Sequence, residues 1–387
     1  MKKHIITYFI ATFAITAPLF ASSSDGEPTS VSKTFTVSKG GTLEVSTNGG
    51  DIRITAWTKN EASVRVRGIE DDEEDSDQLS IKQAGNTIRI ESWGSFEGAR
   101  FEISIPTEFN IDLHTSVGTI DIKGGLTGRL EATTSAGDIR LGNVGGEIDM
   151  RTSGGDIRTG KIDGTATLKT SGGNITVESS TGALDIHTSG GEIVIGNVGK
   201  SLRASTSGGN IELSDVGGDA DLSTSGGNIT AGKITGKASL KTAGGDVELH
   251  GANGAITAKT SGGNVLLEQI SGSVEAKTAG GDVDVELIPN ATGTSRLNSS
   301  GGNLKLTLPE NSKATIDATI RIQGSGWGRH RTSMDEYTIR SDFKATSLDK
   351  DKHEGEIHGH FILNGGGHTI TLETVNGDID IRKQRGE

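Results

Sequence analysis

Apolar residues recur along the middle of the chain with two periods, one of two residues and one of 18 residues. Across residues 147–286, each 18-residue unit contains two stretches in which apolar and polar residues alternate. The first stretch supplies two apolar columns, which read Ile148, Ala166, Leu184, Leu202, Ala220, Ala238, Ile256, Val274 and Met150, Leu168, Ile186, Ala204, Leu222, Leu240, Ala258, Ala276. The second stretch supplies Ile157, Ile175, Ile193, Ile211, Ile229, Val247, Val265, Val283 and Thr159, Val177, Ile195, Leu213, Ala231, Leu249, Leu267, Val285. The period of two indicates β-strands, and the shared period of 18 places all four columns on one interior.

Glycine-rich turns separate the two strands of each unit. The turn after the first strand reads Thr-Ser-Gly-Gly or Thr-Ala-Gly-Gly, followed by Asp, Asn or Glu. Its eight copies begin at Thr152, Thr170, Thr188, Thr206, Thr224, Thr242, Thr260 and Thr278. A second turn follows nine residues later and carries glycine in every unit, although Lys200 displaces that glycine to Gly199 in one of them. Each unit is therefore predicted to contain two strands and two turns.

Two architectures fit this periodicity. In a parallel β-solenoid, each 18-residue coil stacks about 4.8 Å above the preceding one and buries its two strands against each other. In an antiparallel meander, each glycine turn is a hairpin and the sheet keeps one apolar face that needs an outside partner. The solenoid brings like residues into register and buries its own core, so we predict an all-β protein with a parallel β-solenoid (β-helix) of 18-residue, two-strand coils.

The segments that flank the regular repeat predict β-rich caps. Residues 31–110 alternate apolar and polar positions and include the larger aromatic side chains, so they form the predicted N-terminal cap. Residues 111–308 hold the solenoid repeats, and residues 309–387 form the predicted C-terminal cap, with an echo of the repeat at residues 375–381. Caps are expected because the open ends of a solenoid expose unpaired strand edges.

The first 21 residues are predicted to be a secretory signal peptide. Lys2 and Lys3 precede the apolar stretch 5–17, and small residues follow Pro18. The apolar stretch is short for a membrane span, although an uncleaved anchor is the alternative. Residues 22–30 are predicted to be disordered, and no later stretch is long and apolar enough to span a membrane. The expected location is outside the cytoplasm, whether periplasmic, on the cell surface or secreted.

The amino-acid composition excludes several classes of binding partner and of catalytic or metal chemistry. The formal net charge of −13 argues against nucleic acid and anionic lipid as partners. The absence of cysteine excludes disulfides, thiolate metal sites and catalytic thiols. No aromatic residue occurs between Phe109 and Trp327, so the core of the repeat must rest on Ile, Val, Leu and Ala.

Two regular polar columns could form ligand-binding surfaces, but their positions in the repeat indicate a structural role. The threonine column resembles an ice-binding array. However, each threonine lies an even number of residues after the inward positions represented by Ile148 and Met150, so its side chain is expected to point inward. There its hydroxyl can bond turn backbone or the next threonine. The Asp/Asn column after each Gly-Gly pair suggests calcium, but it lacks the spacing of a calcium-binding nonapeptide. A side-chain ladder that bonds turn backbone is the favoured interpretation.

The remaining candidate chemistry lies near the two ends. His358 and His360 lie two residues apart in a predicted strand and could hold Zn²⁺ with Glu354 or Glu356, but no third ligand is evident. The acidic run 70–77 is either a solvated loop or a loose Ca²⁺ site. We predict no catalytic, cofactor-binding or metal-binding residues and no cofactor.

Three stretches carry a resemblance to a known family. They are GTLEVSTNGGDIRITAW from Gly41, the TSGGNI repeats, and LNGGGHTITLETVNGDIDI from Leu363. Together they resemble the DUF4097 family of adhesin-like proteins over residues 34–383. The resemblance implies a β-strand-repeat protein of the bacterial envelope without enzymatic activity.

The sequence therefore predicts an exported structural or interaction protein that binds an envelope or surface ligand, either a protein or a glycan. Its binding surface is expected on the polar outer strands or in residues 327–337, where Trp327, Arg329, Arg331 and Tyr337 are typical interface residues. A carbohydrate-active β-helix enzyme is the first alternative, although uniform coils without aromatic residues predict no walled cleft. An accessory of envelope-stress signalling is the second.

Overall fold

The computed structural model describes residues 29–69, 78–94, 98–290, 293–323, 336–351 and 353–384. Within these ranges the chain forms 35 β-strands and no α-helix. Most strands pair in parallel with a strand of the neighbouring coil, and the strands surround one continuous hydrophobic core. The predicted all-β parallel solenoid is confirmed. No helix in the described ranges is long and apolar enough to cross a membrane.

The strands fall into an N-terminal group, a regular group and a C-terminal group. The first group is β1 (Thr29–Thr36), β2 (Gly41–Thr47), β3 (Asp51–Trp57), β4 (Glu61–Ile69), β5 (Leu79–Ala84), β6 (Thr87–Ser92), β7 (Arg100–Pro106), β8 (Phe109–Thr115) and β9 (Ile120–Lys123). The second is β10 (Leu126–Thr127), β11 (Leu130–Thr134), β12 (Ile139–Leu141), β13 (Val144–Arg151), β14 (Ile157–Lys169), β15 (Ile175–Ser180), β16 (Leu184–His187), β17 (Ile193–Val198), β18 (Leu202–Ser205), β19 (Ile211–Leu213), β20 (Ala220–Ser223), β21 (Ile229–Ile234), β22 (Ala238–Lys241), β23 (Val247–Ala252), β24 (Ile256–Lys259), β25 (Val265–Ile270), β26 (Val274–Thr278) and β27 (Val283–Leu287). The third is β28 (Thr294–Ser299), β29 (Leu304–Leu308), β30 (Ala314–Arg321), β31 (Ile339–Ser341), β32 (Ser347–Asp351), β33 (Glu356–Leu363), β34 (His368–Val375) and β35 (Ile379–Lys383).

Successive coils pair with an offset of 18 residues, as the apolar columns predict. Leu184 faces Leu202 across β16 and β18, and Ile193 faces Ile211 across β17 and β19. We call the sheet that contains β16 and β18 the first face, and the sheet that contains β17 and β19 the second face. All four predicted columns are buried, so the two faces pack their apolar sides against each other.

A fifth inward column was missed in the sequence. It follows the second face and reads Ile162, Ser180, Val198, Val216, Ile234, Ala252 and Ile270, all buried. These residues pair from coil to coil in parallel, and several lie in extensions of the second-face strands. The column lies three residues after the Thr159 column, so the alternation with a period of two does not extend to it. The 18-residue spacing was the signal that could have identified it.

At the N-terminal end, the order of coils in space differs from their order in the chain. β2 pairs in parallel with both β6 and β8, and β3 pairs in parallel with both β7 and β9. The coil β2/β3 therefore lies between the coils β6/β7 and β8/β9. Antiparallel strands close this end, since β5 pairs with β6, and β4 pairs with β7 and β1.

The outermost strands at this end are tied together across the opening of the solenoid. Lys33 on β1 donates from Nζ to the carbonyl of Ile81 on β5 at 3.1 Å. Gln83 on β5 donates from Nε2 to the carbonyl of Thr36 on β1 at 2.8 Å. Lys33 is exposed, and a lysine on an edge strand discourages pairing with another chain, because a docked strand would bury its charge.

The C-terminal end uses the same insertion of a late coil. β34 and β35 contain the echo of the repeat, and they lie between β28/β29 and β30/β31. Beyond β30, β33 and β32 continue the first face in antiparallel pairing. Phe101, Phe109 and Phe361 are among the largest fully buried side chains, and they lie in the end regions rather than in the regular coils.

Several predicted segments lie wholly or partly outside the described residues. These are the signal peptide 1–21, the acidic run 70–77, and residues 327–335 of the aromatic and basic segment. β1 begins at Thr29, two residues inside the segment 22–30 that is predicted to be disordered, and pairs with β4 from its first residue. The rest of that segment also lies outside the described part of the chain.

Candidate functional site

The threonine column holds the corners of the solenoid together. All eight threonines from Thr152 to Thr278 are at most 8% exposed. Thr188 is typical, because its Oγ1 donates to the carbonyl of Gly173 in the preceding coil at 2.8 Å and accepts from the amide of Gly191 at 3.3 Å. The predicted inward orientation and turn-backbone bonds are confirmed. These hydroxyls are therefore not available as an ice-binding surface.

The second glycine of each Gly-Gly pair allows the turns to stack. A Cβ atom added to Gly173 would lie 2.0 Å from the carbonyl oxygen of Gly155 in the preceding coil. At the first glycine of the same pair, Gly172, the nearest atom would be 3.5 Å away. The glycine requirement thus comes from the close approach of neighbouring backbones.

The Asp/Asn column forms the predicted ladder to the turn backbone. Asn264 accepts the amide of Asp282 at 2.9 Å, and the same bond recurs from coil to coil. Along the described chain this ladder runs from Asp138 to Asp378 and is interrupted once, between Glu192 and Asn210. Glu192 carries one more methylene than Asn or Asp, and its carboxylate makes no such bond. One oxygen of each bonded side chain is occupied by the neighbouring coil.

His358 and His360 lie on the same outer side of β33, as predicted. His360 Nδ1 is 2.6 Å from Asp317 Oδ1, and His358 Nε2 is 2.9 Å from Glu356 Oε2. Each ring therefore has a different carboxylate partner. Among the described residues, no group of three or more His, Asp or Glu side chains has the arrangement of a metal site.

His353 and His368, two further histidines near the C-terminus, lie apart from this pair. His353 is exposed beside Asp351, whose pKa is lowered by hydrogen bonds from the amides of Glu354 and His353. His368 is fully buried at the start of β34. Its Nε2 lies 2.8 Å from Ser295 Oγ, and its Nδ1 lies 3.1 Å from Asn290 Oδ1.

The bonds around His368 define its tautomer. Ser295 Oγ already accepts the amide of Val274 at 3.0 Å, so its hydroxyl proton is free to point at His368 Nε2. Nδ1 then carries the ring proton and donates to Asn290. Burial lowers the pKa of His368 and favours this neutral form. Its nearness to other histidines in the sequence gave no sign of this core role.

An open groove lies along the first face of the regular coils. It has a volume of about 730 Å³ and crosses seven strands, β13, β14, β16, β18, β20, β22 and β24. Carboxylates, hydroxyls, basic side chains and small side chains line it, among them Asp149, Asp185, Arg203 and Asp221. The prediction that uniform coils leave no walled cleft fits this open shape, but the sequence gave no indication of the groove itself.

Comparison with known proteins gives the family. The sequence profile described as Toastrack DUF4097 matches residues 25–201 and residues 196–382. The two matches together span most of the chain. The chain belongs to the DUF4097 family. The predicted resemblance is confirmed.

Solved structures similar to this DUF4097 chain include three bacterial proteins. A "putative adhesin" from Bacteroides fragilis is 14% identical, with 92% of this chain and 97% of that chain covered and a TM-score of 0.22. A "putative cell adhesion protein" from Clostridium sporogenes is 8% identical, with 92% and 100% covered and a TM-score of 0.17. A "putative lipid binding protein" from Parabacteroides distasonis is 14% identical, with 63% and 94% covered and a TM-score of 0.22. No curated protein matches the chain.

The two DUF4097 matches meet in the middle of the solenoid. They overlap at residues 196–201, and each contains one end at which a coil is inserted out of chain order. The groove runs from Glu147 to Thr257, so it crosses from the first match into the second. The groove is therefore a feature of the joined coils rather than of one match alone.

Proposed function

We propose that this DUF4097 chain is an exported, non-catalytic structural or interaction protein that binds an envelope or surface ligand through an outer face of the solenoid. The proposal rests on the difference between the polar residues of the interior and corners and those of the outer surface. Most inward and corner polar groups are engaged with neighbouring backbone, as in Thr188 and Asn264. The first face keeps an open groove lined with polar side chains. A rigid body with a long outward surface suits binding to a large ligand.

An enzyme of the β-helix type is the rival function. Its carboxylates would have to occupy different environments so that one donates and another accepts a proton. In the groove, Asp149, Asp185 and Asp221 belong to one column and each has a basic neighbour. The groove is lined by no aromatic side chain that would stack on a sugar ring. These features support a binding role over catalysis.

Export is part of the proposal and rests on the leader-like residues 1–21. Membership in DUF4097, the family whose resemblance implies an envelope protein, supports export. An envelope-stress accessory would share the export and the binding surface. It would differ in having a regulatory protein as its partner.

Co-sedimentation with isolated bacterial envelopes tests the proposal. We expect saturable binding of the purified, folded chain, no binding of the heat-denatured chain, and no new reducing ends in envelope glycans. Release of reducing ends that increases with enzyme concentration would replace the proposal with the enzyme alternative. Absence of binding at any chain concentration would contradict the binding role.

A further inference from the structure

The groove of the first face has the shape of a site for a straight polymer. Its seven strands are stacked about 4.8 Å apart, so the groove extends about 29 Å along the solenoid axis. Residues of one column repeat along it in register, from Asp149 through Thr167 to Asp185 and on to Arg203 and Asp221. Carboxylates therefore recur at every second coil, about 9.6 Å apart. A ligand with its own linear repeat can make the same contact several times.

The charges of the groove favour an uncharged ligand. Asp149 Oδ2 is 2.6 Å from Arg151 Nη2, Asp185 Oδ2 is 3.9 Å from Lys169 Nζ, and Asp221 Oδ2 is 3.9 Å from Arg203 Nε. Each of these three carboxylates is thus partly neutralised by an adjacent cation, and Glu147, Asp219 and Lys237 add further charges of both signs to the groove. A polyanion would meet the carboxylates, and a polycation would meet the basic side chains. An uncharged ligand avoids both penalties.

The hydrogen-bonding groups of the groove favour a ligand rich in hydroxyls. Thr167, Ser239 and Thr257 share the column with the charged side chains, so the groove offers hydroxyl groups beside carboxylates and cations. A sugar hydroxyl both donates and accepts, so it can satisfy either kind of neighbour.

A peptide fits this groove less well. The groove floor is the middle of a sheet, and its backbone groups are already paired with strands on both sides, so a peptide cannot add as a further strand. The large exposed apolar side chains of the described residues are Trp93, Val117, Ile288, Leu348 and Ile362, and none lines the groove. The groove therefore lacks the apolar anchors that protein partners use.

We infer that the first-face groove binds a linear, uncharged glycan laid along the solenoid axis. This inference rests on the proposed function and specifies its ligand class. Successive sugar units contact equivalent positions on successive coils, so affinity increases with ligand length until the groove is filled. The second face, with its own outward charges, does not take part.

Isothermal titration with defined oligosaccharides tests the inference. The probes are neutral linear β-1,4-glucan, α-1,4-glucan, β-1,3-glucan and β-1,4-N-acetylglucosamine hexasaccharides, their disaccharides, and a uronic acid hexasaccharide. The groove variant combines Asp185→Ala, Arg203→Ala and Asp221→Ala. The control variant makes the same change of charge on the other side of the coils, with Glu212→Ala, Lys233→Ala and Glu248→Ala.

We expect at least one neutral hexasaccharide to bind the unmodified chain more tightly than its disaccharide and than the uronic acid oligomer. The groove variant should lose about tenfold or more in affinity, while the control variant keeps it. Thermal unfolding of both variants checks that they remain folded. The inference is wrong if no neutral hexasaccharide binds, if the uronic acid oligomer binds best, or if the groove variant binds as well as the control.

Envelope co-sedimentation of the same two variants separates this inference from the proposed function. Envelope binding that is equal in both variants would reject the groove and leave the proposed function standing. Absence of envelope binding by the unmodified chain would reject the proposed function itself. Loss of envelope binding in the groove variant alone, with sensitivity of the bound envelope site to protease, would assign the groove to a protein partner and contradict the glycan.

Discussion

At each corner of the solenoid, a threonine, a glycine and an Asp or Asn satisfy backbone groups that the turn would otherwise leave unpaired. The threonine bonds the preceding turn, the second glycine lets the backbones approach, and the Asx oxygen accepts the next amide. Buried polar groups stabilise a fold only when they are hydrogen-bonded, so these contacts explain the regularity of the turn sequence. The sequence predicted the roles of the threonine and of the Asx residue from parity and turn chemistry, but not the close approach of neighbouring backbones that requires the second glycine.

Thr159 is an exception among the interior threonines. It is 6% exposed, and its Oγ1 has no hydrogen-bond partner among the described residues. Replacing it with valine, Thr159→Val, should raise the free energy of unfolding by about 1 kcal/mol, because an unsatisfied hydroxyl is removed at nearly constant volume.

Thr170→Val is the matched control for that change. Thr170 Oγ1 donates to Gly155 O at 2.8 Å, so its loss should lower the free energy of unfolding by about 1–2 kcal/mol. Chemical denaturation of both variants measures the difference. Equal effects of the two substitutions would contradict the assignment of these hydroxyls.

The two glycines of one turn should differ in their tolerance of alanine. Gly173→Ala places a Cβ 2.0 Å from Gly155 O, so the stacked turns must separate, at a cost of about 2–3 kcal/mol. Gly172→Ala meets its nearest atom at 3.5 Å and should cost less than about 1 kcal/mol. Thermal unfolding of the two single variants tests this, and a larger loss for Gly172→Ala would show that the turn stacking is misassigned.

His368 should make stability depend on pH in the acidic range. Burial lowers its pKa in the folded chain below the value near 6.5 of an unfolded histidine. The unfolded chain therefore binds more protons as the pH falls below about 6.5, and the contribution of His368 to stability is lost there.

The variant His368→Gln removes this titration while keeping an acceptor for Ser295 and a donor for Asn290. We expect the variant to lose less stability than the unmodified chain between pH 7.5 and pH 5. Unfolding midpoints at the two pH values measure this difference. An identical loss in both proteins would show that His368 does not titrate with unfolding.

At the scale of elements, the coil is predictable from the sequence and the order of coils is not. Four columns with periods of two and 18 define the strands, the faces and the register. The fifth column, containing Ile162, was not predicted because it breaks the period of two. The insertion of β2/β3 and β34/β35 into the stack was also not predicted. A repeat pattern specifies which strands can pair, but it does not specify whether coils that are neighbours in the chain are neighbours in space.

The inserted coil β34/β35 should be essential for the C-terminal end. It pairs with β28 and β29 on one side and with β30 and β31 on the other. A chain that ends at Gly367 lacks this layer, so β30 to β33 lose their connection to the solenoid. Limited proteolysis should then cut within residues 314–363 at sites that are protected in the full chain. Protection equal to that of the full chain would contradict the inserted position.

At the scale of the whole molecule, the regular coils give a rigid body whose function must lie on its outer faces or at its ends. Because all coils have the same length, no long loops form walls beside the groove, and the groove is open and straight. The sequence could not predict this groove, because it depends on the relative size of side chains on seven separate strands. Its charged residues were visible only as members of ordinary outward positions.

The stacking of equivalent coils is the central structural claim, and removal of one coil tests it most directly. Deletion of residues 211–228 joins Asn210 to Ile229 and recreates the Asn-Ile junction found at residues 210–211 and 228–229 of the full chain. All columns then stay in register, so the shortened protein should unfold cooperatively at a temperature close to that of the full chain. Deletion of residues 211–219 is the control, because it places first-face residues in the second face. The measurement is the thermal unfolding midpoint of the two deletions. The account predicts a folded 18-residue deletion and an unfolded nine-residue deletion, and loss of folding in both would contradict it.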